Sequence, residues 1–137
     1  MEQARTLNEQ QQIVYDTVMQ SVNCKMGKIF CLNACGGSGK TYLINLLLMT
    51  VRASGAIALA TATSGIAATL LQGGRTAHST FKVPVFNIDE ASMCKMTKID
   101  MVGKLMQRTQ LIIIDEVTMG NKLMYECIDR SLSLIHI

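Results

Sequence analysis

The feature that most constrains this chain is a glycine-rich segment between two apolar segments. The residues Gly36-Gly37-Ser38-Gly39-Lys40-Thr41 follow an apolar run at residues 29–32, and residues 40–51 are apolar on nearly every side. The short run predicts a buried strand and the longer segment a buried helix. A glycine-rich turn from a strand into a helix presents backbone N–H groups to an anion. The segment therefore predicts a phosphate-binding loop.

The residue types in this loop suit a nucleoside triphosphate. The glycines let the backbone curl so that successive N–H groups point inward, Lys40 adds a positive charge for the outer phosphates, and the Thr41 hydroxyl can ligate Mg²⁺. The full pattern G-x-x-x-x-G-K-[ST] has a glycine where this chain has Ala34. A glycine-rich turn with a solvated lysine is the alternative interpretation.

A second pattern lies where another apolar run ends. Residues 111–114 are Leu-Ile-Ile-Ile, and Asp115 and Glu116 follow directly. Ligands of open α/β sheets bind beyond the carboxyl ends of the strands. An aspartate there can hold Mg²⁺, and a neighbouring glutamate can orient and deprotonate an attacking water. Together with the loop, the pair favours a hydrolase over a strand that simply ends in a solvated turn.

The alternation of apolar runs and helical periodicity predicts an α/β fold, with a mostly parallel sheet covered by helices on both faces. A capping box at Thr6-Leu7-Asn8-Glu9 marks the entry to the first helix. Residues 82–92 are irregular. The predicted strands are 29–32, 56–60 and 111–114, and the predicted helices are 8–22, 40–51, one from about Ser64, 97–107 and 121–131.

Length and composition exclude several classes of protein. The 137 residues suffice for one domain, and 49% apolar with 17% charged residues excludes a disordered tail. A net charge of +3 decides nothing about partners. The five cysteines have no zinc-site spacing, which indicates reduced thiols in an intracellular protein. The first ten residues carry no apolar segment of signal-peptide length, so we expect no export, and the longest apolar stretch, residues 42–49, is too short to span a membrane.

Four stretches of the sequence together resemble a known family. The most diagnostic stretch, residues 63–71 with 73–79, includes Thr63-Ser64-Gly65-Ile66-Ala67, which ordinary P-loop kinases and GTPases lack. The chain resembles the Pif-family ATP-dependent DNA helicases of superfamily one, especially the Helitron-like members, which also carry Asn-Ala at positions 33 and 34. The resemblance covers about residues 6–131. The four stretches are residues 7–11, residues 32–41, residues 63–71 with 73–79, and residues 114–119.

The resemblance implies roles for individual residues. Gln11 would belong to the adenine-reading motif, although it could equally be a capping partner of Asn8. Lys40 and Thr41 would bind phosphate and Mg²⁺, and Asp115 and Glu116 would be the catalytic carboxylates. The implied contacts to single-stranded DNA are Ser64, Gly65, His78, Ser79 and Phe81, where His78 as a loop histidine and Phe81 as a core residue are the alternatives.

The resemblance also implies a motor that binds and hydrolyses ATP with Mg²⁺ and unwinds duplex DNA while it tracks on a single strand. Such a motor serves DNA repair, recombination, telomere maintenance or Helitron transposition, in the nucleus or else the mitochondrion. Residues 1–131 would form an incomplete first RecA-like domain that binds ATP with little turnover, because the second RecA-like domain is absent from this chain. A P-loop small-molecule kinase is disfavoured because Arg75, Arg108 and Arg130 are not clustered. A non-catalytic remnant of a mobile element is the other alternative.

Two further expectations concern single segments. Cys35 lies inside the loop, near a helix N-terminus and Lys40, so we expect it to be the most reactive thiol. Residues 132–137 match a translation of the transposase end used to build sequencing libraries, and we expect this tail to be non-native after a helix that ends near Ser131. Alternatively, the tail extends the apolar face of that helix.

Overall fold

The computed structural model describes residues 7–136 and the side chains of residues 7–135. Helices alternate with strands along most of this span, and a short 3₁₀ turn, Val117–Met119, follows the last strand. The elements in chain order are α1 (Glu9–Asn23), α2 (Lys40–Ala53), β1 (Ile57–Ala62), α3 (Gly65–Thr69), β2 (Arg75–Thr76), α4 (Ala77–Phe81), α5 (Met101–Arg108), β3 (Thr109–Asp115) and α6 (Lys122–His136).

The three strands form a parallel sheet in the order β2-β1-β3. The predicted α/β class is confirmed. Ala62 of β1 is in register with Thr76 of β2 and with Asp115 of β3, so the strands end at a common edge. This edge is where an open parallel sheet holds its ligands.

Helices cover both faces of the sheet. Helices α1 and α2 pack on one face, where α2 residues such as Leu43 and Leu47 contact Leu111 and Ile113 of β3. Helices α5 and α6 pack on the other face, against the alternate residues Ile112 and Ile114. Because α2 lies between α1 and the sheet, it is apolar around most of its circumference. Its buried residues are Leu43, Ile44, Leu46, Leu47, Leu48 and Val51.

The predicted strand at residues 29–32 is not formed. Residues 26–35 have no regular structure, and the Ile29 side chain is 96% exposed. A run of apolar residues becomes a strand only where its backbone pairs with a neighbour, and among the described residues the sheet ends at β3. Conversely, β2 was missed, because two residues are too short to show a hydrophobic period.

Two helix boundaries differ from the prediction. Helix α5 begins at Met101 rather than near Thr97, because the Asp100 carboxylate caps it by accepting from the Gly103 N–H at 2.7 Å. Helix α6 continues past Ser131, and Ile135 is only 4% exposed in the core. The alternative that the tail extends the apolar face holds for Leu132 and Ile135, whereas Leu134 is 64% exposed, and the non-native origin of the tail stays a prediction.

Two other features of the described chain bear on the sequence predictions. The cap at the N-terminus of α1 is formed by Asn8 and Gln11, and Thr6 of the predicted capping box lies outside the described residues. No helix within residues 7–136 is both long enough and apolar enough to cross a membrane.

Candidate nucleotide-binding site

The phosphate loop and the strand carboxylates meet at the carboxyl edge of the sheet. Lys40 Nζ lies 3.2 Å from Asp115 Oδ1. The Lys40 side chain is 34% exposed and that of Asp115 is 9% exposed, so the carboxylate is buried while the ammonium still reaches solvent. Two motifs that are far apart in sequence therefore lie next to one another in the structure.

The loop presents an uncapped helix N-terminus. Gly39 occupies the N-cap position of α2 and provides no side chain to accept the first N–H groups. Gly37 and Gly39 have φ angles of 75° and 81°, and the Ser38 N–H donates to the Cys35 carbonyl at 3.3 Å. Left-handed conformations of this kind favour glycine. The predicted loop residues, exposed or half-buried, are thus arranged for an anion.

Gln11 connects the start of α1 to the loop. Its backbone N–H donates to Asn8 Oδ1 at 2.9 Å, and its Oε1 accepts from the Asn8 N–H at 3.1 Å. The capping interpretation of Gln11 is therefore confirmed. Its Nε2 also donates to the Ser38 carbonyl at 3.0 Å, which places the same side chain against the phosphate loop. The contact of Gln11 with adenine stays a prediction.

Gly39 is required by two independent constraints. Its φ of 81° is a conformation that other residues adopt at a cost, and a Cβ added here would lie 2.6 Å from Gln11 Nε2. Any side chain at this position would therefore displace Gln11 from the loop. Close packing of α1 against the loop thus depends on the absence of a side chain at residue 39.

The catalytic candidate Glu116 has an unusual backbone conformation. Its φ of 55° is left-handed, and the residue is exposed. The Glu116 N–H donates to Asp115 Oδ1 at 2.9 Å, which holds the Asp115 carboxylate against the backbone of Glu116. Left-handed non-glycine residues cost about 1–3 kcal/mol and often lie at functional sites. The geometry of Glu116 agrees with its predicted place in a site.

Residues after β1 hold Glu116 in this position. Thr63 Oγ1 donates to the Glu116 carbonyl at 2.9 Å, and Ser64 Oγ donates to Glu116 Oε2 at 3.2 Å. The sequence prediction missed Thr63 and the contact of Ser64 with the carboxylate, while the predicted DNA contact of Ser64 stays a prediction. Thr63 and Ser64 follow β1 directly, as Glu116 follows the neighbouring parallel strand β3, so the sequence could place these residues near one another but could not identify their contacts.

The metal candidates Thr41 and Asp115 belong to α2 and to the end of β3. Within the described residues, no group of three or more His, Cys, Asp or Glu side chains could hold a metal ion. Mg²⁺ bound with nucleotides normally keeps several waters and takes only one or two protein ligands. The donor set, a hydroxyl and a buried carboxylate beside Lys40, therefore fits Mg²⁺ bound together with phosphates.

The predicted DNA contacts are found in different environments. Gly65 and His78 are exposed, whereas Ser79 is half-buried and accepts from Arg75 Nη2 at 2.9 Å. Phe81 is fully buried in the core between the sheet and α6, so its ring is not available to stack on a base in this structure. The core interpretation of Phe81 is the one that the structure supports.

The five cysteines are all free and fall into two groups. Cys24, Cys31 and Cys35 are exposed, and Cys94 and Cys127 are buried with their Sγ atoms 3.7 Å apart. Burial raises the pKa of the Cys94 thiol to about 12. The thiol of the loop residue Cys35 is thus accessible, while Cys94 and Cys127, the latter on α6, are protected by burial.

Comparisons with known proteins show the family of this chain. A model of the PIF1-like helicase family matches residues 6–136. The chain is 33% identical over 96 residues to the ATP-dependent DNA helicase Pif1 of Psychrobacter sp. (strain PRwf-1), covering 69% of this chain and 14% of that protein. It is 34% identical over 86 residues to the ATP-dependent DNA helicase PIF4 of Trypanosoma brucei brucei (strain 927/4 GUTat10.1), covering 61% of this chain and 10% of that protein. The chain thus spans a small part of these relatives, and it belongs to the PIF1-like helicase family.

Proposed function

We propose that this chain is the ATP-binding part of a DNA helicase motor. The observation that carries the proposal is the 3.2 Å approach of Lys40 Nζ to Asp115 Oδ1, which joins the phosphate loop to the strand carboxylates. An α/β turn that merely exposed a lysine would not need a buried carboxylate at this place. ATP is the proposed ligand because both similar proteins are named as ATP-dependent DNA helicases.

Each residue of the site has a proposed part in ATP binding and hydrolysis. The N–H groups of the loop and Lys40 bind the phosphates, and Thr41 and Asp115 would hold Mg²⁺. When bound, Mg²⁺ neutralises charge that develops on the phosphate oxygens. Asp115 keeps Lys40 directed at the phosphate position before ATP arrives.

Glu116 is proposed to position and deprotonate the attacking water. Its contact with Ser64 Oγ aims the carboxylate, and its exposure leaves it accessible to that water. The contact also gives Ser64, a candidate DNA residue, a direct connection to the catalytic carboxylate. A strand on Ser64 would then compete for this hydroxyl, which offers a route by which DNA changes the rate of hydrolysis.

We propose that this chain alone turns over ATP slowly. Its arginines at 52, 75 and 130 hydrogen-bond within the chain, to Ala58 and Gln72, to Ser79 and to Ser92 respectively. An arginine supplied from another domain accelerates phosphoryl transfer by about 10³- to 10⁵-fold. A second RecA-like domain would supply it, together with the other half of the track for single-stranded DNA.

We propose that the DNA track includes the exposed Gly65 and His78, with Ser64 and Ser79 beside them. Asn33 and Ala34 favour the Helitron-like type of the family. The proposed setting is repair, recombination, telomere maintenance or transposition of nuclear or mitochondrial DNA.

The deciding experiment measures Mg-ATP binding by calorimetry and phosphate release with and without single-stranded DNA. We expect ATP binding, slow release, and stimulation of release by DNA. Phosphate transfer to an added small acceptor would instead indicate a kinase, and binding with no turnover in either condition would indicate a non-catalytic remnant. Absence of Mg-ATP binding would contradict the assignment of the site itself.

A further inference from the structure

A separate cavity lies beside the outer edge of β1, away from Lys40, which lies next to Asp115 at the end of β3. Strand β2 pairs only with Thr61 and Ala62, so within residues 7–136 the outer edge of β1 before Thr61 has no strand partner. A partly open cavity of about 140 Å³ lies beside this edge and reaches α4 and α5. A cavity of about 150 Å³ is large enough for a ligand of six heavy atoms. The space therefore suits a small chemical group.

The lining of this cavity is cationic. Arg52, Arg75 and Lys82 line it, and none of the other lining residues is acidic. Among residues 7–135, the ion pairs are Lys40 with Asp115 and Lys122 with Glu126, so none of these three cations is neutralised by a carboxylate. Three positive charges without a counter-charge around one cavity form a site for an anion.

The cations retain unused hydrogen-bond donors. Three N–H groups of Arg52 donate to the Ala58 and Gln72 carbonyls, which fixes the guanidinium against the edge of β1. Arg75 Nη2 donates a hydrogen bond to Ser79 Oγ at 2.9 Å. A guanidinium has five N–H donors. Both arginines are thus held in place and can still donate to a ligand.

A hydroxyl on the same lining also lacks a partner. Thr80 lines the cavity, and its Oγ1, which has almost no exposed surface, has no hydrogen-bond partner among the described residues. Buried hydroxyls are nearly always paired, because an unpaired one forfeits the hydrogen bond it makes in the unfolded chain. An oxygen acceptor seated in the cavity would satisfy it after a small shift.

We propose that this cavity binds a phosphate group, either a phosphodiester of single-stranded DNA or the phosphate of a small molecule. Phosphate is favoured over a carboxylate because its oxygens point in several directions and can accept from cations on different sides of the cavity. The cavity lies apart from the nucleotide site, so either can fail without the other. A strand as the occupant rests on the proposed DNA track, which shares Ser79 with the cavity, whereas a small phosphorylated ligand does not.

The first test observes the unaltered chain by two-dimensional NMR while inorganic phosphate is added at constant ionic strength. We expect saturable shifts of the backbone amides of Arg75, Ser79, Thr80 and Lys82, and no such shifts with chloride. A short oligodeoxythymidylate is then added in place of phosphate. Shifts of the same amides would identify a strand phosphodiester as the occupant, and shifts with inorganic phosphate alone would identify a small phosphorylated ligand.

The second test uses Arg75→Gln with Lys82→Asn. Lys82 has a φ of 56°, and asparagine tolerates this left-handed conformation. The matched control is Arg108→Gln with Lys25→Asn, because Lys25 has a similar φ of 51° and neither residue lines the cavity. Both double variants lose the same charge.

We expect the cavity variant to bind inorganic phosphate roughly tenfold more weakly than the control variant. If a strand is the occupant, the slope of log affinity for the oligonucleotide against log salt should also fall by about 0.7 per lost phosphate contact. The proposal is overturned if phosphate gives no saturable shift of these amides, or if the cavity variant and the control bind phosphate equally well.

Discussion

Gln11 Nε2 donates a hydrogen bond to the Ser38 carbonyl at 3.0 Å, while Gln11 Oε1 accepts from the Asn8 N–H at 3.1 Å. One side chain thereby caps α1 and supports the phosphate loop. The sequence offered the capping role and a nucleotide-site role as alternatives. In the structure the cap and the loop contact coexist, so the position of α1 and the shape of the loop are coupled.

This coupling can be separated by two substitutions. Asn8→Ala removes the acceptor for the Gln11 N–H and should lower the free energy of unfolding by about 1 kcal/mol. It leaves the Gln11 side chain able to reach Ser38, so Mg-ATP affinity should be unchanged. Gln11→Ala should lower stability by a similar amount and also weaken ATP binding several-fold. Denaturant unfolding and calorimetry measure the two effects, and equal ATP affinities in both variants would contradict the role of the Ser38 contact.

Gly39 provides a second test, with a matched glycine elsewhere in the chain. Gly39 and Gly55 have φ angles of 81° and 83°, but an added Cβ meets Gln11 at 2.6 Å only at Gly39, and meets nothing within 4 Å at Gly55. Both alanine substitutions should cost roughly 1–2 kcal/mol of stability from the left-handed conformation. Gly39→Ala should in addition lower ATP affinity in calorimetry. Equal ATP affinities for the two variants would show that the contact with Gln11 does not matter.

The site was more predictable from the sequence than the sheet. The loop and the pair Asp115-Glu116 could be predicted because each depends on a few adjacent residues at the end of an apolar run. Their common edge followed from the parallel order of the strands, and Lys40 is indeed beside Asp115. Motifs that each consist of a few adjacent residues, and that a parallel sheet brings to one edge, can therefore be predicted from a sequence.

The remaining features depend on contacts that no local pattern encodes. Residues 29–32 have the composition of a strand but lack a pairing partner, so Ile29 is exposed. Phe81 follows the candidate DNA residues His78 and Ser79, yet its side of α4 faces the core. Thr63 was missed because its contact is with the carbonyl of Glu116, which any residue possesses. The sequence therefore could not predict which side chains are buried or which backbone groups pair with one another.

Lys40→Ala tests the phosphate contact itself. The substitution removes the cation of the loop and should weaken Mg-ATP binding by roughly 10- to 100-fold, the contribution of one hydrogen bond to a charged group. Because the Asp115 carboxylate is buried and loses its cation, the substitution should also lower the free energy of unfolding by about 1–3 kcal/mol, more than the loss of a surface ion pair would. Lys122→Ala removes another paired lysine, which is 85% exposed, and should leave ATP affinity unchanged. Similar ATP affinities for both variants would refute the site.

Glu116→Gln separates binding from hydrolysis. The amide keeps the shape of the side chain and can still accept from Ser64 Oγ, but it cannot take a proton from water. We expect ATP affinity that is equal or tighter, and a loss of about 10²- to 10⁴-fold in any DNA-stimulated phosphate release. Glu126→Gln on α6, which removes a carboxylate paired with Lys122, is the control and should leave release unchanged. Unaltered release in Glu116→Gln would exclude this residue as the base.

The cysteines report on the loop without any substitution. Cys24, Cys31 and Cys35 are exposed, whereas Cys94 and Cys127 are buried. Brief alkylation of the folded chain, followed by peptide mapping, should modify Cys35 fastest and spare the buried pair, whose modification should require denaturant.

Bound nucleotide should change only one of these reactions. The Cys35 carbonyl accepts from the Ser38 N–H within the phosphate loop, so Mg-ATP on the loop should cover this thiol and slow its alkylation. Cys24, which follows α1 directly and lies outside the loop, is the internal control and should react at the same rate with and without Mg-ATP. Alkylated Cys35 should in turn block nucleotide binding, because the added group occupies the position of the phosphates. Equal protection of Cys24 and Cys35 would point to a general closure of the chain, and no protection of Cys35 would place the nucleotide elsewhere.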